Sequence, residues 1–192
     1  PTIRIRGLST LGANTAPLIV IDGVPGATLA NIDANDIESM TVLKDGSGAA
    51  IYGTRGSSGV ILITSKKGQT GPMQVSYSTS FAQSSVAQRI PVLSATEFKA
   101  NGGTDLGTET DWIDAITRNG SNIIHNFSAA GGNDNSNYRV SANVRKATGI
   151  LNRTGFDQIN TRAHLNTKAI NDKLDLNFNL SYTKRDADLG DE

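Results

Sequence analysis

Two hydrophobic patterns meet near residue 72. Before it, apolar residues come in short compact runs closed by turn residues. Leu18–Ile21 ends at Asp22-Gly23, Glu38–Leu43 carries Met40, Val42 and Leu43, and Val60–Thr64 ends before Lys66-Lys67-Gly68. Runs of this length bounded by turn signals predict buried strands, with Met40, Val42 and Leu43 as core candidates. Ile3–Arg6, alternating apolar and basic before Gly7, predicts another short strand. Leu29–Asn35 reads as a loop or helical turn, Asp36 as a cap before the second run, and Gly48–Tyr52 as a single helical turn before Gly53. The first 72 residues therefore predict a small mixed α+β unit.

After Pro72 the period becomes two. Val75, Tyr77, Thr79 and Phe81 alternate with small polar residues. So do His125, Phe127 and Ala129, then Tyr138–Val144, Ile159–Leu165 and Leu174–Tyr182. Each run is about ten residues, the length a tilted strand needs to cross a bilayer. The connections alternate as well: long at 86–121, short at Gly131–Asn137, medium at Thr148–Asp157 and tight around Asn171-Asp172. Long outer loops and short inner turns are the habit of outer-membrane barrels, which would make 86–121 and 148–157 extracellular. Within 86–121, Ser94-Ala95-Thr96-Glu97 predicts a capping box and a short helix. Asp111–Thr117 predicts a second, with Trp112 and Ile116 on one face. The alternation alone leaves two environments open. A soluble sandwich hides the apolar face and wets the polar one. A membrane wall gives the apolar face to lipid and turns Arg139, Arg145, Arg162 and Asp175 towards a wet interior.

Composition narrows the classes. The formal net charge is zero, so no basic field argues for nucleic acid. Cysteine is absent, which excludes disulfides and thiolate metal sites. No run of about 18 apolar residues predicts a membrane helix, which leaves a β-barrel open. The start at Pro1, without Met or a signal peptide, reads as a piece of a longer chain.

Asp36–Gly68 concentrates Gly46, Gly48, Gly53, Gly56 and Gly59. A nucleotide reading fails: Ile51 breaks the dinucleotide fingerprint, and Thr54-Arg55 replaces the Lys-Ser/Thr of a phosphate loop. The glycines are read as backbone geometry instead. His125 and His164 lack spaced metal-ligand partners. Asp33, Asn35 and Asp36 begin like a calcium loop without its Gly and Glu, and Asn133-Asp134-Asn135 reads as a turn. Glu109 and Asp111 read as solvated loop acids, not an acid–base pair. Trp112 could stack on a sugar or pack its loop. No catalytic residue, metal or cofactor is expected.

Ordered motifs then become specific. They are Ile3-Arg4-Ile5-Arg6-Gly7, Pro17–Pro25 (PLIVIDGVP), Asp36–Asp45 (DIESMTVLKD), Ala50–Gly56 (AIYGTRG), and Gly59–Thr64 followed by Lys66-Lys67-Gly68. Thr110-Asp111-Trp112, His125–Ser128 with Gly131-Gly132-Asn133, and Asn177–Tyr182 follow. The chain resembles the SusC/RagA branch of TonB-dependent outer-membrane transporters along nearly its whole length.

The resemblance implies an α+β plug domain (1–72, its C-terminal part), followed by antiparallel strands of an incomplete transmembrane β-barrel (73–192, about the first five strands) with extracellular loops. Whole members fill a barrel of about 22 strands with the plug. They import bulky nutrients, glycans or peptides, across the bacterial outer membrane. A SusD-like surface lipoprotein caps them, and TonB acts through a segment N-terminal to the plug, expected to be absent from this piece. Outer-membrane lipid, an oligosaccharide or peptide substrate and no nucleic acid are the implied partners. The chain is not expected to be an enzyme. A siderophore- or vitamin-type receptor and a non-transporting β-rich surface binding module are the alternative readings. Plug–barrel pairing is expected from Arg6 and Lys44 to barrel glutamates, although Lys44 lacks the fork of the Arg found in many relatives. Asp22, Gly23, Tyr52, Gly53, Arg55, Gly56 and Gly59 form the plug corner, and Trp112 sits on a possible substrate-side loop. The last strand is expected to have an unpaired edge.

Overall fold

In the computed structural model the described residues are 5, 16–44, 46–104, 107, 110–171 and 173–190. The apolar runs of the first part build one sheet. Strand β1 (Leu18–Ile21) turns into the short β2 (Val24–Pro25). After two 3-10 turns comes β3 (Ile37–Leu43), then helix α1 (Gly46–Tyr52), a further 3-10 turn (Gly53–Gly56) and β4 (Val60–Ser65). The order across the sheet is β2-β1-β4-β3. Strands β1 and β4 are parallel, which requires a crossover, and residues 22–59 supply it. Strand β3 lies antiparallel to β4, with an irregularity between Ile37 and Ser39.

Val20, Ile21, Val60, Ile61 and Ile63 are nearly sealed from solvent, as their apolar runs predict. Strand β3 departs from expectation. Met40 and Val42 are exposed and only Leu43 is half-buried. The reason is position. Met40 pairs with Ile63 and Val42 with Ile61, but the cluster of Ile21, Ile32, Ile61 and Ile63 sits over the central strands, and β3 is at the edge. The expected strand at Ile3–Arg6 lies outside the described residues, Ile5 excepted.

The period-two runs form a second sheet. Its strands are β5 (Gly71–Ser84), β6 (Gly120–Gly132), β7 (Ser136–Thr148), β8 (Thr154–Ala169) and β9 (Leu174–Leu189), hydrogen-bonded in sequence order. Strands of 13–16 residues exceed the ten or so that show clean alternation. The turns are local chemistry. At 133–135 the Asn133 side chain accepts from the backbone N–H groups of Asn135 and Ser136, an Asx turn. At 170–173, Ile170 and Asn171 both have positive φ, as a tight hairpin requires. The long connection carries α2 (Ala95–Ala100), whose Ser94–Glu97 capping box is present, and α3 (Trp112–Ile116), capped by Asp111. Among the described strands β5 and β9 end the sheet, so the edge of β9 is unpaired as expected, that of β5 is unpaired too, and no barrel closes.

Burial on β7 and β8 of this sheet is inverted, whereas on β5 and β9 both faces are largely exposed. Ser141 is 4% and Asn143 3% exposed, and Asn160 and His164 are also buried. Their apolar neighbours stand out: Val140 is 46% exposed, with Val144, Ile159 and Leu165 alike. A soluble sandwich would show the reverse. A wall with lipid on one side and a polar interior on the other shows this pattern. Among the described residues no helix is long and apolar enough to cross a membrane, which says nothing about strands.

By compactness the described chain resolves into two units. One takes residues up to 77 with 126–143 and 160–183, thus the small sheet and both tight turns. The other takes the described residues of 78–125, 144–159 and 184–192, with the longer connections.

Candidate functional site

Within the first unit, two carboxylates of the small-sheet region meet two arginines of the long strands. Asp22 starts the β1–β2 turn. With φ of 49° at Asp22 and 85° at Gly23, the pair adopts the left-handed geometry of a two-residue hairpin, which Asp-Gly tolerates well. The turn holds the Asp22 carboxylate at the end of β4. There it accepts from the Ser65 backbone N–H and hydroxyl, both at 2.8 Å. Its second oxygen also takes Nη1 of Arg162, on the polar face of β8, at 2.8 Å. Nη2 of Arg162 reaches the Asn31 carbonyl at 3.5 Å.

Asp36 makes the second joint. It was expected to cap its turn, but Asp33 does so, its side chain accepting from the Asn35 N–H. The Asp36 carboxylate, 7% exposed, instead accepts from the Ser141 hydroxyl at 2.7 Å and Arg139 Nη2 at 3.3 Å. Its carbonyl accepts from the Lys66 N–H, tying the turn to the end of β4. Both pairs are about seven-eighths buried. Their desolvation offsets much of the attraction, so their net contribution is small. Removing one partner is a different matter, because it strands a buried charge at a cost of about 3–5 kcal/mol. These joints therefore fix a register.

The sequence expected pairing through other residues. Arg6 lies outside the described residues. Lys44 is exposed just beyond β3. Arg139 and Arg162 were placed on the polar faces, but nothing in their spacing joins them to acids more than a hundred positions away. His164, two residues beyond Arg162 on the same face, is buried with Nδ1 lacking a hydrogen-bond partner. No cluster of His, Asp and Glu able to hold a metal occurs among the described residues.

The glycine-rich corner is built by backbone approach. A Cβ at Gly56 would collide with the backbone of Gly48, and one at Gly48 would come within 2.9 Å of Val60 Cγ2. Gly53, with φ of 63°, turns the chain out of α1. Tyr52 is half-buried, Arg55 is exposed close to Gly26, and Gly59 (φ 98°) packs on Ile5.

In the second unit, Trp112 is exposed. It lines a cleft of about 660 Å³ with Leu93, Phe98 and Ile113. Arg89 clamps Asp111 and Asp114 at 2.9 Å each, and its hydrogen bond to Asp114 and the charge of Asp111 raise its pKa. The pair is solvent-exposed and adds little stability.

The family described as TonB-dependent Receptor Plug Domain matches residues 1–60. The TonB-dependent receptor SusC of Bacteroides thetaiotaomicron is 40% identical over 98% of the chain and 21% of its own length. The TonB-dependent receptor P26 of Formosa agariphila is 32% identical over the same shares. A solved structure, the RagAB peptide importer in the open-open state, superposes with a TM-score of 0.85 at 23% identity. The match covers 97% of this chain and 26% of that one. The chain thus spans about a fifth of the length of these curated relatives.

Proposed function

Given that the chain belongs to the SusC/RagA-type TonB-dependent outer-membrane receptors, we propose that it contributes the gate and five wall strands to active uptake of bulky nutrients, glycans or peptides. The observation that supports this reading most is the inverted wall. Its apolar face stands outward, and its polar face carries Arg139 and Arg162 docked on Asp36 and Asp22 of the plug.

The physical sequence runs from there. A plug held by a few directional, nearly dry ion pairs is rigid at rest, because each charge left alone is costly. It is also releasable, because separated carboxylates and guanidiniums regain hydration once water enters. TonB, pulling on a segment N-terminal to the plug, would break the joints one at a time and open a path. Substrate would enter from the loop side, where Trp112 stands exposed, beneath a SusD-like lipoprotein. Arg6 and Lys44 would add contacts to glutamates elsewhere in the barrel. The work is transport and not catalysis. The place is the bacterial outer membrane.

The test is growth of a strain deleted for the gene on a panel of glycans and peptides, with the product followed by membrane fractionation. Loss of growth on one nutrient class, restored by the gene only when TonB is present, is expected. Unchanged growth on every nutrient, with product recovered only in the soluble fraction, would contradict the proposal and favour a surface binding module.

A further inference from the structure

Within the second unit, β7, β8 and β9 bring two arginines onto one ring. The guanidinium carbon of Arg185 lies 4.2 Å from the centroid of Phe156, and that of Arg145 lies 5.0 Å from it. All three occupy the polar face of their strands. Arg145 is in step with Ser141 and Asn143, Phe156 with Gln158 and Asn160, and Arg185 with Ser181 and Thr183. Arg145 Nε donates to the Asn122 side chain at 3.0 Å, which leaves its terminal N–H groups unused by that bond.

Among the described residues no carboxylate contacts either guanidinium, in contrast to Arg139 and Arg162, each of which holds an aspartate. Cation–π contact fixes the two side chains without neutralising them. The stack is therefore a preorganised positive site on the polar face of these strands. Ordered guanidinium forks of this kind recognise planar or tetrahedral anionic groups.

We propose that Arg145, Phe156 and Arg185 form a binding subsite for an acidic oligosaccharide, whose carboxylate or sulfate groups the two guanidiniums take up. This rests on the nutrient-import reading. A single carboxylate would leave one guanidinium unmatched. A glycan that repeats negative charge from sugar to sugar can engage both, and the Asn122 amide beside Arg145 suits neighbouring hydroxyls. A peptide offers adjacent acids only where its sequence happens to place them, so the acidic glycan is the better fit.

The full-length receptor, purified in detergent, tests it by calorimetry with a uronic-acid oligosaccharide, a sulfated oligosaccharide, a neutral oligosaccharide of equal length and a diacidic peptide. At least one acidic glycan should bind more tightly than the neutral one, and added salt should weaken it. The exposed Arg185→Gln should lose about tenfold for that glycan, and Arg145→Gln/Arg185→Gln more, with neutral-glycan binding and thermal melting unchanged. Which acidic glycan responds separates carboxylate from sulfate. Equal binding of acidic and neutral glycans, preference for the peptide, or variants that bind the acidic glycan unchanged would overturn the subsite while leaving import intact. Absence of binding to every ligand, together with absence of TonB-dependent uptake, would remove the import reading and the subsite with it.

Discussion

The small sheet and the long-strand sheet use the same residue types in opposite ways. In the first, Val20, Val60 and Ile63 are inside, and the buried polar groups Ser65 and Asp36 sit where hydrogen bonds satisfy them. In β7 and β8 of the second, Val140, Ile159 and Leu165 stand outside while Ser141, Asn143, Asn160 and His164 are covered. The first is the arrangement water imposes on apolar surface. The second is the arrangement that an apolar surrounding medium, such as lipid tails, favours. One chain is thus folded against two solvents, and Asp22 and Asp36 are where the two parts are joined.

The largest expected effect falls on that joint. In the full-length receptor, Asp36→Ala should cost about 3–5 kcal/mol of plug docking, because Arg139 keeps its burial and loses its partner. Protease sensitivity of the plug and ion leak through reconstituted channels should rise together. Adding Arg139→Met should recover much of the loss, which a generic packing defect would not allow.

Next comes the medium. Leu180→Arg should destabilise the assembled wall by about 2–4 kcal/mol, and Ser181→Arg by much less, measured by denaturant unfolding from lipid vesicles. Equal costs at the two neighbours would break the contrast between faces.

A smaller effect is local to the corner. Gly53 has a left-handed φ with nothing near its absent Cβ, so Gly53→Val should cost about 1–2 kcal/mol through the backbone alone. Gly53→Ala should cost about as much. Gly56→Ala should cost more, because it also meets Gly48. Thermal melting of the full-length receptor reads all three. If Gly53→Val left both folding and uptake intact, no special backbone demand would exist there.

The smallest effect belongs to the loop helix α2. The Glu97 pKa is lowered by hydrogen bonds from the Ser94 N–H and then the Ser94 hydroxyl. A lowered carboxylate stabilises the fold above its unfolded pKa, and that contribution disappears as pH falls through the folded value. Amide protection over residues 94–98, corrected for intrinsic exchange, should therefore be greater near pH 6 than near pH 3. Glu97→Gln should remove the difference.

Much of this was legible in the residues. Period two located β5 to β9, and compact apolar runs located β1, β3 and β4, because both signals are local. The capping box at Ser94 and the turn at Asn133 were legible for the same reason. The facing of the strands was not, since alternation is identical whichever medium lies outside. Met40 and Val42 resembled core residues because hydropathy does not tell an edge strand from a central one. The docking acids were hidden by distance. Asp36 and Arg139 are separated by 103 positions, and Asp22 and Arg162 by 140. Asp36 carried only the local look of a cap, and Asp22 that of a turn.

The most direct test of the two-solvent account uses spin labels placed singly along β9 of the full-length receptor in lipid vesicles, at Phe178, Asn179, Leu180, Ser181 and Tyr182. The account predicts alternation. Labels at Phe178, Leu180 and Tyr182 should be readily reached by lipid-dissolved oxygen and poorly by a water-soluble nickel reagent, and labels at Asn179 and Ser181 the reverse. Uniform access of the nickel reagent to all five positions would contradict it.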